Sequence, residues 1–238
     1  MLVGGHWRLW LVTAVVSIVH HGMVGYQIGV LNNAYQDITK FFYKLISDEK
    51  HFQYLAWGGL VAIYHLGLAI GALITPLISD RFGRKVALIY VSNIICIFGH
   101  GMVFLTVTTQ IAPLLYCGRI LTGIGGGIGL ACVPLYLLES CPPGLRGLIG
   151  SCLELAVVSG IFLSLFLGGQ EMLGDGLRWP ILVTFGIWFA LAELLAAKLF
   201  MVNLNKFHIG SINVHGFGIT VGFGVWFALV ELLAGKLF

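Results

Sequence analysis

The sequence has 238 residues, 58% hydrophobic and 10% charged, with a mean hydropathy of +0.97 and a formal net charge of +3. Soluble domains carry about 45–50% apolar and about 25% charged residues, so lipid must be this chain's main solvent, and a soluble enzyme is excluded. The charge is small, and no basic stripe or nucleic-acid motif is present, so no nucleic-acid partner is expected.

A bilayer core takes about 20 mostly apolar residues per helix. On that basis the sequence predicts membrane helices at 9–31, 56–78, 86–108, 111–138, 146–169, 179–200 and 214–235. Backbone groups in lipid must satisfy one another within a segment, which favours helices. The alternating segments of about ten residues that mark a transmembrane barrel are missing. The first candidate opens with the apolar run Leu9 to Val19 behind His6 and Arg8, a pattern that suits a signal peptide. No small-residue cleavage site follows and the apolar character resumes through Val24, Ile28 and Leu31, so it reads as a helix that stays attached.

Asn32 to Tyr54 reads as a polar loop of mixed sign, with Asp37, Lys40, Lys44, Asp48, Glu49 and Lys50. Ser79 to Lys85 is short and basic, and the connection around Cys141 to Leu145 holds two prolines and leads into Arg146. Gln170 to Leu177 is a further short polar loop. With the N-terminus in the cytoplasm, seven basic residues fall inside (Arg8, Arg81, Arg84, Lys85, Arg146, Lys198, Lys206) and five outside (Lys40, Lys44, Lys50, Arg178, Lys236). The Lys/Arg bias therefore favours that orientation, carried by the two tight connections. No N-x-S/T sequon is present to mark the other side.

Within 111–138, Gly123 with Gly127 and Gly125 with Gly129 stand four apart, the spacing that lets membrane helices approach closely. A phosphate-cradling loop would need a strand before these glycines and Lys–Ser/Thr after them, and has neither. The cysteines (Cys96, Cys117, Cys132, Cys141, Cys152) form no CxxC and no metal spacing, and read as small apolar packing residues. No metal or cofactor is implied. An internal repeat closes the chain: 185–200 (FGIWFALAELLAAKLF) and 223–238 (FGVWFALVELLAGKLF) agree at thirteen of sixteen positions. Either a genuine duplication supplies a seventh helix, or the repeat is an artefact of the transcript or gene model.

Two connections carry motifs. Asp80-Arg81-Phe82-Gly83-Arg84-Lys85 is a D-R-x-G-R-K turn, in which glycine lets the chain reverse and Asp80 can pair with a neighbouring cation. Alone, the weaker alternative is a solvated basic turn. Pro134, Tyr136, Glu139, Pro142, Arg146 and Gly147 form P-x-Y-x-x-E-x-x-P-x-x-x-R-G after Gly118-Arg119. A charge at the edge of a membrane is costly unless paired, so Glu139 and Arg146 invite a pairing role.

At these residues the chain resembles the sugar-porter branch of the major facilitator superfamily, and more closely its facilitative glucose (hexose) transporters. The D-R-x-G-R-K turn is similar to the superfamily signature between helices two and three, and the Gly118-Arg119 and Pro134 to Gly147 segments to the sugar-porter signature. Gly25 to Val30 resembles the first-helix motif, and Arg178-Trp179-Pro180 the opening of helix six. The likeness covers about residues 20–185. It implies an all-α membrane protein: a six-helix N-terminal half over 1–200, then a tail, 201–238, with a candidate extra helix. The rest of such a transporter is a second six-helix half, and the two rock about a midplane site.

The resemblance assigns Asp80, Arg84, Glu139 and Arg146 to a cytoplasmic salt-bridge cluster that gates this motion, with Arg119 either in the gate or structural. It assigns sugar contacts to Gln27, Glu154, Val157, Val158 and Ile161. Glu154 departs from the family, which carries Gln there, and Gln27 stands where proton-coupled porters carry Asp. The implied activity is pH-independent uniport of a hexose such as glucose, compromised because only one half is present. The alternative is a non-transporting short form that binds a full-length transporter. Expected partners are a sugar, membrane lipid and either a second copy or a full-length transporter. A membrane enzyme would need a constellation such as Ser/His/Asp or HExxH, and none has the spacing.

Overall fold

The computed structural model describes residues 17–45, 50–140, 143–169 and 179–196. Every described element is helical. The candidate helix at 214–235, the repeat's second copy, Cys141 and residues 9–16 of the first candidate lie outside the described residues.

A π-helical turn, Ser17–His21, leads into α1, Gly22–Leu45. α1 runs well past the predicted end at Leu31, and much of the predicted polar loop is helix. The reason lies in its spacing. Leu31, Ala34, Ile38 and Phe41 recur every three or four residues and are buried, while Asn32, Gln36 and Lys40 point outward. That is the period of an amphipathic helix, and the buried face packs on Leu60, Ala112 and Leu115. Lys40 and Asp37, 3.3 Å apart, add a weak surface pair.

α2 covers Lys50–Phe82 and includes Pro76. It ends because Gly83 takes φ 87°, where a Cβ would be strained, and its N–H bonds the Ser79 carbonyl at 2.9 Å. The short α3, Arg84–Val86, passes through a π-helical stretch, Ala87–Ser92, into α4, Asn93–Thr109. The Asn93 amide donates to the Ile89 carbonyl at 3.0 Å, beside this wide turn. α5 covers Ala112–Ser140, and a 3-10 turn, Pro143–Leu145, precedes α6, Arg146–Leu167. Two short helices follow, α7 over Trp179–Thr184 and α8 over Gly186–Ala196.

Four described helical spans are long and apolar enough to cross a membrane: Tyr54–Phe82, Ala87–Thr106, Ala112–Glu139 and Pro143–Leu167. They match four of the predicted segments to within a few residues. α5 is the hub, with 67% of its span buried against 33% for that of α6. It packs on α2 and α4, while α1 pairs with α6.

Glycines set these spacings. A Cβ on Gly123 would collide with the Tyr64 carbonyl and one on Gly127 with the Leu68 carbonyl, both on α2. Gly67 and Gly71 return the contact from α2 against Ile120 and Ile124. A Cβ on Gly125 would lie 2.8 Å from the Ser92 carbonyl oxygen, toward α4, and Gly129 leaves room for the His20 ring. Gly125 and Gly129 thus serve different neighbours, and α5 approaches its neighbours closely on more than one face.

Candidate functional site

A buried polar group joins four helices of the bundle. Arg119 on α5 is 2% exposed, an expensive place for a guanidinium without partners. Its Nη1 donates to Gln27 Oε1 on α1 at 2.7 Å and its Nη2 to the Gln27 carbonyl at 3.2 Å. The centroid of the Tyr64 ring of α2 lies 4.5 Å from the guanidinium carbon, a cation–π contact strengthened by the burial of both side chains. Gln27 Nε2 is 2.6 Å from His100 Nε2 on α4, and His100 Nδ1 is 2.7 Å from the Cys96 carbonyl. Gly186, opening α8, lies against the same link, where a Cβ would strike both His100 Nε2 and Gln27 Nε2. Among the described residues no carboxylate pairs with Arg119.

A second polar group forms at the α2–α3 turn. Arg84 Nη1 meets Asp80 Oδ1 at 2.6 Å and the Ser79 hydroxyl at 2.7 Å, and its Nε lies 3.5 Å from Glu139 Oε1 at the end of α5. The i, i+4 spacing of Asp80 and Arg84 holds across the turn because Gly83 reverses the chain between them. Burial of Arg84 works against its charge, but the Asp80 hydrogen bond and the Glu139 and Asp80 charges outweigh it. They raise its pKa above the ordinary arginine value. The sequence-predicted members Asp80, Arg84 and Glu139 are thus together. Arg146 is exposed at the start of α6, and no ion pair joins it to the other three among the described residues. Arg119, grouped with them from the sequence, lies about 30 Å from Glu139 along α5, at about 1.5 Å per residue. Its partners are those of the buried group.

The expected sugar contacts do not form one surface. Gln27 is 2% exposed inside the buried group, and Val157 is buried with its backbone against Gly25 of α1. Glu154 and Val158 stand on the exposed side of α6, beside Leu155 and Phe162, which are 69% and 70% exposed. Ile161 is half-buried at the seam with Gly29. One full α-helical turn separates Glu154 from Val158, which is why they share a side, while Val157 turns inward.

His100 is the member that the sequence analysis did not single out. Its local signal is the i, i+4 relation to Cys96, which puts the ring nitrogen on a carbonyl. Nothing local shows that Gln27 and Arg119 would be its neighbours.

A family model described as "Sugar (and other) transporter" matches residues 12–203. Facilitated glucose transporter protein 1 of Caenorhabditis elegans is 32% identical over 178 residues, covering 71% of this chain and 34% of the relative. Solute carrier family 2, facilitated glucose transporter member 4 of Mus musculus is 32% identical over 197 residues, covering 78% of this chain and 38% of the relative. The chain therefore spans about a third of the length of the curated relatives it matches. Among solved structures, the inward-open xylose transporter XylE from E. coli has a TM-score of 0.70 at 20% identity, covering 96% of this chain and 55% of that one. The XylE proton:xylose symporter bound to 6-bromo-6-deoxy-D-glucose has a TM-score of 0.71 at 18% identity, covering 98% and 53%. These likenesses show the fold, the N-terminal half of a major facilitator. With four membrane-length helices and a family model matching most of its length, the chain is an integral membrane protein that belongs to the sugar (and other) transporter family.

Proposed function

We propose that this chain acts as the N-terminal six-helix half of a facilitative hexose transporter, moving a sugar such as glucose down its gradient by alternating access. Residues 1–200 form that half, and 201–238 a tail with a candidate seventh helix. The observation that carries the reading is the neutral Gln27 amide against the buried Arg119. A carboxylate at that place could take up and release a proton as the helices move; an amide cannot, so this position does not couple transport to protons. The second half is supplied by a partner or a longer chain, because one half has nothing to rock against.

In this reading the N-terminus is cytoplasmic, the protein resides in the cell membrane, and Asp80, Arg84 and Glu139 form the cytoplasmic gate. Arg146 joins the gate when the second half closes on it. Glu154 and Val158 face the sugar path, with Ile161 at its margin and Gln27 and Val157 supporting from beneath. A carboxylate and apolar groups suit a polyhydroxyl ligand that needs acceptors on its edges and a greasy wall on its face.

A second reading has its own observation. Leu155, Val158, Phe162 and Phe166 form an exposed apolar stripe on α6, which suits a non-transporting form that binds a second copy or a full-length transporter. Equilibrium binding of radiolabelled glucose to the purified chain, in competition with other hexoses and pentoses at several pH values, tests the first reading. Saturable, pH-independent binding weakened by Glu154→Ala supports it. Stable, folded protein that binds no hexose but co-purifies with a full-length transporter favours the second.

A further inference from the structure

We infer that His100 is a positioning residue, which aims the Gln27 amide so that its oxygen faces Arg119. The side chains fix one another's hydrogens in sequence. The Cys96 carbonyl can only accept, so His100 Nδ1, 2.7 Å away, carries the ring proton. His100 Nε2 is then a lone pair, and the Gln27 atom 2.6 Å from it must be the NH2 group. That leaves the Gln27 oxygen for Arg119 Nη1 at 2.7 Å, which is the atom a guanidinium requires, since it has donors only. Every donor in the series points one way, from Arg119 through Gln27 and His100 to Cys96.

Turning any one group breaks two contacts. A rotated Gln27 amide would set NH2 against the Arg119 donors and oxygen against the His100 lone pair. The other histidine tautomer would place two donors together at Gln27 and two acceptors together at Cys96. Gly186 belongs to the arrangement, because any side chain there would occupy the space of the His100–Gln27 link. His100 therefore ties α4 to α1 and, through Gln27, to α5. Its consequence for transport, that these helices move as one body, rests on the uniport reading above. The hydrogen-bond series itself stands without it.

The test uses the full chain in lipid nanodiscs, labelled with 15N-histidine. Two-bond 1H–15N spectra are expected to show His100 protonated at Nδ1 with Nε2 accepting. Thermal midpoints separate aiming from mere filling. His100→Gln keeps an acceptor near the Nε2 position and is expected to retain the parent midpoint. His100→Asn keeps only the bond toward Cys96 and is expected to lose about 4–8 °C. An Nε2-protonated His100 in the unmodified chain overturns the inference, as does Asn rescuing as well as Gln. A correct tautomer without sugar uptake into vesicles that hold this chain paired with a C-terminal half defeats only the uniport reading. Uptake with the wrong tautomer defeats only this one.

Discussion

Gly67→Ala should loosen the seam between α2 and α5 more than any change of its size suggests. A Cβ at Gly67 would sit 2.6 Å from the Ile120 carbonyl oxygen and 3.0 Å from Gly123 Cα, where ordinary contact begins near 3.4 Å. The shortfall against the oxygen is about 0.8 Å, and both obstacles are backbone, so no rotamer can absorb it. α2 must move away from α5 around a seam that Gly71 and Gly127 also keep close. Overpacking of this kind costs about 1–3 kcal/mol, against a helix-propensity gain of up to about 1 kcal/mol for replacing glycine. Gly101→Ala on α4 is the matched control: nothing lies within 4 Å of its Cβ position, so it receives the gain alone. The two variants should differ by about 2 kcal/mol, or about 4–8 °C in thermal midpoint for a chain of this length. Detergent-purified variants heated at one scan rate and read by tryptophan fluorescence give the comparison. Equal midpoints for Gly67→Ala and Gly101→Ala would refute the close-packing argument.

Gln27→Leu strips the Arg119 Nη1 of its side-chain acceptor and should cost about 3–5 kcal/mol, seen as a collapse in folded yield on size exclusion; Gln27→Leu with Arg119→Met should recover much of it. Arg84→Ala should cost no more than about 1 kcal/mol in thermal stability, because Asp80 is 55% exposed and water screens the pair. Its effect is expected instead in the rate of sugar exchange across vesicles. Since the Arg84 pKa is raised, its stabilising share is complete below the unfolded arginine value and is lost only as pH climbs through the still higher folded value. The midpoint difference between the parent and Arg84→Ala should therefore show no loss of arginine charge from about pH 6 to about pH 9. Glu154→Gln, on the exposed side of α6, should leave stability within about 0.5 kcal/mol and tighten glucose binding by restoring an amide donor.

The membrane helices were legible because lipid enforces a length and a composition that any window of the sequence reveals. Their limits at Phe82 and Thr109 follow from local chemistry, a positive-φ Gly83 and a left-handed Gln110. The C-terminal end of α1 was misread because charged Asp37 and Lys40 masked an apolar stripe that needs period counting, not averaging. The Asp80–Arg84–Glu139 group could be read in advance, since two members share one turn and the third sits in a recognisable motif. Gln27, His100 and Arg119 could not be assembled that way, because their meeting depends on how α1, α4 and α5 pack. The inward turn of Val157 and the outward turn of Glu154 likewise needed the α1–α6 seam. Once Gly25 and Gly160 fix which side of α6 meets α1, both orientations follow.

The most direct test of the hexose-uniport proposal is tracer glucose uptake into proteoliposomes, with the chain alone and with the C-terminal half of a full-length relative, each with and without an imposed pH gradient. The account predicts saturable uptake when the second half is present, at a rate the proton gradient does not change. Uptake that rises with the proton gradient, or no uptake from well-inserted, paired halves, would contradict it.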